Sequence, residues 1–240
     1  MSGHSHAQTV KRTKDATDAK RGKNFSKLGR LITIAVKTGG GMNDPQMNSR
    51  LRMALMKAKE ANMPKDNIKR AIDKGLGKGE GLDLESITYE GYGPFGVAVI
   101  VECITDSKNR TGQEIKSLFT IHGGNLAEPG AAAHYFTRVG FVKVKKDGDG
   151  EEQMLKLIDL GAEDIEEKND FFNVFTSVGA MEEAEKSIRD LGFEVLESDR
   201  IMKANDKMTK ENAQIQKISK FVAGLENYED VQNVFVNVEI

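Results

Sequence analysis

Cysteine occurs once among 240 residues, histidine four times, and no apolar run is long enough to cross a bilayer. Each scarcity removes a class of function. A single Cys cannot build a disulfide framework, which points to a reducing compartment. Cys103 lies inside the run Val97-Ala98-Val99-Ile100-Val101-Glu102-Cys103-Ile104. It is expected to be a buried small hydrophobe, because a thiolate nucleophile needs a neighbouring base or cation that an apolar strand does not supply. The N-terminus lacks an apolar signal region, so the expected location is the cytoplasm, or the mitochondrial matrix if a transit peptide has been removed. No pair among His4, His6, His122 and His134 has the spacing of a structural zinc site. A Ser2 amine exposed by loss of Met1 could bind Cu(II) with His4, and this is taken as incidental chemistry. No metal and no cofactor are expected.

What the chain does have is charge, and the charge is segregated. The first 78 residues carry about 18 Lys or Arg against about 6 Asp or Glu, so the remainder of a molecule of net charge −2 is acidic by roughly 14. The basic residues are spaced among helix formers rather than blocked, which suits an ordered phosphate-binding surface. Residues 1–22 read as a basic arm with almost no apolar periodicity, loose until it meets a partner. From Phe25, apolar residues recur at helical spacing through Leu28, Leu31, Ile32, Ala35 and Val36 to Gly39-Gly40-Gly41. A second helix is expected with Asp44 as cap and Pro45 at its first position, and a third opens at Pro64 and stops at Gly75. Residues 23–78 therefore form a helical domain, and the glycine-rich stretch to Gly81 is a linker.

Beyond it, strand and helix patterns alternate. Residues 82–137 give strands at Ile87–Glu90, Val97–Thr105 and Ala133–Thr137 around a helix near Thr111–Ile121. Residues 138–204 give an acidic set: strands at Gly140–Lys145, Phe171–Val178 and from Phe193, with helices near Glu151–Leu160 and Met181–Leu191. A last helix, Thr209–Leu225, precedes a strand bearing Val231, Val234, Val236 and Val238, whose best partner is the first strand set. The fold class is therefore α+β: a three-helix domain followed by two α/β-sandwich-type domains, one discontinuous (82–137 and 205–240), the other inserted in it.

Catalytic readings fail on spacing. Gly91-Tyr92-Gly93-Pro94-Phe95-Gly96 has the G-x-G-x-x-G spacing, but a strand follows where a dinucleotide fold needs a helix, so it reads as a hairpin turn. Gly77-Lys78 is no phosphate loop, since Gly79 stands where Ser or Thr must hold magnesium. No nucleophile and base pair can be argued, and the chain is expected not to be an enzyme and to take no small-molecule substrate.

A series of short motifs then identifies a likeness. Gly3-His4-Ser5, Asp18-Ala19-Lys20-Arg21-Gly22-Lys23, Phe25-Ser26-Lys27-Leu28, Gly39-Gly40-Gly41, Ala61-Asn62-Met63-Pro64-Lys65-Asp66-Asn67-Ile68, Tyr89-Glu90-Gly91-Tyr92-Gly93-Pro94, Asn109-Arg110-Thr111 and Gly123-Gly124-Asn125-Leu126 resemble, in order and spacing, the YebC/PmpR family. The resemblance implies the same three-domain fold and a regulator of gene expression. Bacterial members are labelled DNA-binding transcriptional regulators, while the mitochondrial branch and some bacterial members are associated with translation, the latter at proline-rich stretches. His6 and Ala7 stand where the family usually has Lys and Trp, which removes a base-stacking or core anchor from the arm.

No helix carries the Arg, Asn and Gln pattern of a base-reading helix, so the cations are expected to bind phosphates, with ribosomal RNA as partner and promoter DNA as the alternative. The expected nucleic-acid-binding residues are Lys11, Arg12, Lys14, Lys20, Arg21, Lys23, Lys27, Arg30, Arg50 and Lys57. The loop residues Met63, Pro64 and Lys65 are expected as a secondary contact, with core packing of Met63 and helix initiation at Pro64 as the structural alternative. The acidic domains are expected to face the functional centre or a protein partner, and no membrane is involved.

Overall fold

Phe25, Leu28, Ile32, Ala35 and Val36 are the residues that commit the first helix to a core. The computed structural model describes residues 4–78, 83–148 and 150–240, and the side chains within these ranges from Lys20 onward. Helix α1 spans His4–Thr38, α2 Ser49–Glu60 and α3 Lys65–Gly75. Leu28, Ile32, Ala35 and Val36 of α1 pack against Leu51, Ala54 and Ala58 of α2 and Ala71 of α3. The close approach of α3 to α1 needs Gly75, where a Cβ would lie 2.6 Å from Val36 Cβ and 2.7 Å from the Thr33 carbonyl.

Two local expectations change. The helix expected to begin after Gly22 begins at His4. No Gly or Pro lies between Ser5 and Arg21 to interrupt it. The segment lacks an apolar stripe, so apolar periodicity gives no sign of a helix there. The cap of α2 is Asn48 rather than Asp44: Asn48 Oδ1 accepts the Leu51 N–H at 3.0 Å, while its amide donates to the carbonyls of Ala35 at 3.0 Å and Met42 at 2.9 Å. An aspartate could not donate, so Asn alone both caps α2 and fastens the turn after α1. Asp44 instead accepts the Gln46 N–H at 2.9 Å in a turn ahead of the helix.

Strands β1 (Glu85–Tyr92) and β2 (Ala98–Thr105) form an antiparallel hairpin. Its turn is the glycine-rich segment, with the Gly93 N–H donating to the Val97 carbonyl at 2.8 Å. Helix α4 (Lys108–Ile121) follows, then the short edge strand β3 (Asn125–Ala127) beside β1. The chain then builds a second antiparallel sheet. It contains β4 (Phe136–Lys145), α5 (Gly150–Asp159), β5 (Asp164–Glu167), β6 (Phe171–Thr176), α6 (Met181–Asp190) and β7 (Val195–Ala204), with strand order β5-β6-β4-β7.

Helix α7 (Asn212–Glu226) and β8 (Val231–Val236) return to the first sheet, whose order is β3-β1-β2-β8. Val99 faces Val236 and Val101 faces Val234 across that last pairing. The second sheet is thus inserted in the first domain.

The segments Ala133–Thr137 and Gly140–Lys145, expected as two strands, are otherwise arranged. Ala133–Tyr135 is a single 3-10 turn, and β4 runs unbroken from Phe136 because Thr137, Arg138 and Val139 pair with Lys203, Met202 and Ile201 of β7. Each sheet packs its helices on one face. In the first, Ile115 and Phe119 of α4 and Ile218, Phe221 and Leu225 of α7 cover Val97, Val99, Val101 and Cys103. Phe119 and Phe221 meet edge to face with centroids 5.0 Å apart.

Candidate nucleic-acid interface

The expected phosphate binders divide into two groups according to what they face. Residues 20–24 of α1 are all exposed, and five successive exposed residues exceed one helical turn, so no face of the helix is packed there. Lys20, Arg21 and Lys23 make no hydrogen bond or ion pair among the described residues. They are exposed charges with no carboxylate partner among the described residues. The side chains of Lys11, Arg12 and Lys14 lie outside the described residues.

The second group is turned inward. Arg30 Nη1 donates to Asp230 Oδ1 and, at 3.2 Å, to the Ile104 carbonyl, and Nη2 lies 3.2 Å from Glu229 Oε1. Asp230 has only 3% of its side chain exposed. Its second oxygen accepts from Thr111 Oγ1 at 2.6 Å and Arg110 Nη2 at 3.3 Å, and Arg110 also holds Asp106 at 2.6 Å. The Asp106 carboxyl is held below the usual range by its hydrogen bond to Arg110.

Lys27 donates to the Glu226 carbonyl, and burial pushes its ammonium below the usual lysine range against the pull of Glu226. These contacts tie the helical domain to the first sheet. Lys57 pairs with Asp199, and Arg52 pairs at 2.9 Å with Glu182, which also holds Arg200 at 3.0 Å; these tie it to the inserted domain. Part of the charge segregation in the sequence is therefore internal complementarity between domains.

The remaining expected residues scatter. Arg50 is exposed, with Nη1 3.4 Å from Thr38 Oγ1. Met63 is buried in the helical core, so the loop it sits in presents Pro64 and Lys65 but not Met63. Pro64 precedes α3 with extended backbone, and Asn62 ahead of it takes a positive φ of 55°.

Between the three domains lies a cleft of about 440 Å³ to which Lys27, Arg50, Lys57, Arg138 and Arg200 contribute cations and Glu102 and Asp199 carboxylates. Cys103 borders it from β2 with its side chain buried, and burial pushes the thiol up to about 12, leaving no thiolate at neutral pH. Among the described residues, no group of three His, Cys, Asp or Glu stands together to hold a metal ion, and no helix is long and apolar enough to cross a membrane.

Several motif residues singled out in the sequence are structural. Glu90 accepts the N–H groups of Gly130, Ala132 and Ala133 at 2.9, 2.9 and 2.8 Å, pinning the turn before β4. Burial pushes its carboxyl up, but the three backbone donors together with His134 outweigh this and hold it below the usual range. Gly91 leaves no room for a Cβ, which would lie 2.5 Å from the Asn125 carbonyl. What sequence reasoning missed are the acceptors Asp230 and Glu229. The motif Asn109-Arg110-Thr111 marked one half of that network without its partner.

Comparison with known proteins agrees with the architecture. A family described as "TACO1/YebC protein N-terminal domain" matches residues 5–78, and "TACO1/YebC second and third domain" matches residues 84–238. A protein of Bacillus licheniformis named "probable transcriptional regulatory protein" is 43% identical over 241 residues, covering 99% of this chain and all of its own. A protein of the same name from Geobacter sulfurreducens is 44% identical over 242 residues, covering 100% of this chain and 96% of its own. A crystal structure of a conserved hypothetical protein from Aquifex aeolicus superposes with a TM-score of 0.83 at 40% identity, covering 93% of this chain and 92% of that one.

Proposed function

The chain belongs to the TACO1/YebC family, and from that premise we propose that it is a non-enzymatic, nucleic-acid-binding regulator of gene expression that acts on the ribosome through ribosomal RNA. The observation that carries this reading is the exposed cationic segment of α1, where Lys20, Arg21 and Lys23 have no partner among the described residues, whereas Arg30, Lys37, Arg52 and Lys57 of the same domain are paired with carboxylates. Unpaired cations clustered on an exposed stretch of helix are free to attract an external polyanion. Point charges spread around a helix suit phosphates of a folded RNA better than a groove, where base reading needs one face rich in Arg, Asn or Gln. Among the roles associated with the family, easing ribosome stalls at proline-rich sequences is the one this reading favours.

A second reading has a specific observation behind it. Relatives covering the whole chain carry the name "probable transcriptional regulatory protein", so promoter DNA is the alternative partner. Competition at one salt concentration between a structured ribosomal RNA fragment and duplex DNA of several sequences separates the two. The ribosomal reading predicts tight RNA binding and DNA binding that varies little with sequence. A sequence dependence well over tenfold among the duplexes would move the assignment to transcription.

A further inference from the structure

At the far end of the first sheet from the α1 rod, the β1–β2 turn holds an aromatic side chain out of the core. Phe95 is 40% exposed and sits at φ 62°, one of two non-glycine residues with positive φ among those described. For a residue with a bulky side chain this backbone conformation is strained, and the ring recovers only part of the burial it would have in a core. The neighbouring chemistry is cationic. Lys217 on α7 stands 5.8 Å from the ring centroid, and Lys210 Nζ donates to the Phe95 carbonyl at 3.0 Å. Lys220, one turn beyond Lys217, lines with Phe95, Ile121 and His122 an open hollow of about 420 Å³ whose lining includes no carboxylate. Glu211, beside Lys210, is folded back as the N-cap of α7. In a molecule whose residues after 78 are strongly acidic, this is a local reversal of charge around an exposed ring.

We propose that this hollow is a second nucleic-acid contact that takes single-stranded RNA, with an unpaired base stacked on Phe95 and the flanking phosphates on Lys217 and Lys220. An aromatic face bordered by lysines is the arrangement that binds unpaired nucleotides with little sequence preference, because every base offers a π-face and every linkage a phosphate. A protein partner would require charge complementarity to the lysines and an apolar insert for the hollow, whereas one nucleotide supplies both. The proposal rests on the nucleic-acid reading above but uses a surface distinct from α1.

The test is fluorescence anisotropy of the full chain with a labelled oligouridine, an RNA duplex of the same length and an oligothymidine. Phe95→Gly accepts the positive φ and deletes the ring, Phe95→Trp keeps a stacking face, and the pair Lys217→Glu with Lys220→Glu reverses the charge. The expected result is that Phe95→Gly weakens oligouridine binding about tenfold or more, Phe95→Trp restores it, and duplex RNA binding changes less than twofold. Equal affinity of Phe95→Gly and the parent for oligouridine, or an equal loss on single strand and duplex, would overturn the proposal. Oligothymidine bound tenfold tighter than oligouridine would overturn the choice of RNA. Ribosome binding that persists in Phe95→Gly, with oligouridine affinity unchanged, removes this contact and leaves the α1 reading standing. Loss of ribosome binding only on charge removal in α1, with oligouridine binding still dependent on Phe95, separates the two surfaces.

Discussion

Asp230→Asn should loosen the joint between the helical domain and the first sheet without touching RNA affinity. Asp230 is almost fully buried and serves Arg30, Arg110 and Thr111 together. Removing one partner of a buried ion pair costs about 3–5 kcal/mol, because the charge left behind has lost its solvent as well as its counterion. Here each arginine keeps a second carboxylate, Arg30 with Glu229 at 3.2 Å and Arg110 with Asp106 at 2.6 Å, so the low end applies, about 3 kcal/mol. At roughly 2–4 °C per kcal/mol for a chain of this size, the transition involving the helical domain and first sheet should fall by about 6–12 °C.

Thermal and urea unfolding followed by circular dichroism reads this out. The separate cores allow more than one transition, so the affected one is identified by its absence of shift in variants of the inserted domain. A double-mutant cycle with Arg30→Met should give a coupling of about 1–3 kcal/mol. A shift below about 2 °C with additive single effects would refute the clamp. A flattened salt dependence of RNA binding on replacing Arg30 alone would return that residue to the phosphate-binding set.

Glu90→Gln should cost about 1–3 kcal/mol by weakening the charged acceptor of three backbone N–H groups. Because the folded state holds this carboxyl below its unfolded value, its contribution is present above about pH 4.3 and is lost as pH falls through the lower folded value. The parent should therefore lose more stability than Glu90→Gln on acidification across that window, as measured by urea unfolding at stepped pH; parallel curves would remove the role. Cys103 should react with a thiol reagent only at the rate of opening of the first sheet, and prompt labelling of the native chain would contradict its burial. Phe95→Gly should stay within about 1 kcal/mol of the parent, since relief of positive-φ strain offsets lost packing and glycine's entropy.

The residues that could be read in one dimension are those whose pattern repeats along their own element. Leu28, Ile32 and Val36 mark α1 by helical spacing, and Val231, Val234 and Val236 mark a strand that needed a distant partner. The short edge strands β3 and β5 could not be read this way. Asn125-Leu126-Ala127 and Asp164-Ile165-Glu166-Glu167 are too short and polar to carry a period, and only pairing with β1 and β6 makes them strands.

The same limit governs the interface. Lys20 and Arg30 look alike in sequence, but Arg30 meets a carboxylate 200 positions away and Lys20 meets none among the described residues. Local composition reports charge, whereas binding depends on which charges the fold leaves unpaired. Asn48 outdoing Asp44 as a cap has the same cause, since its advantage lies in two carbonyls contributed by the end of α1 and the turn after it.

Sedimentation with ribosomes across a salt series, comparing the parent with the triple variant Lys20→Glu, Arg21→Glu, Lys23→Glu, tests the central claim most directly. The account predicts comigration of the parent that weakens steeply with salt and survives excess duplex DNA, and its loss in a triple variant that unfolds like the parent. On isolated RNA, neutralising the same three positions should flatten the slope of log affinity against log salt by about 2–3. Parent and triple variant comigrating alike, or a parent absent from ribosomes at physiological salt yet retained by one DNA sequence, would contradict it.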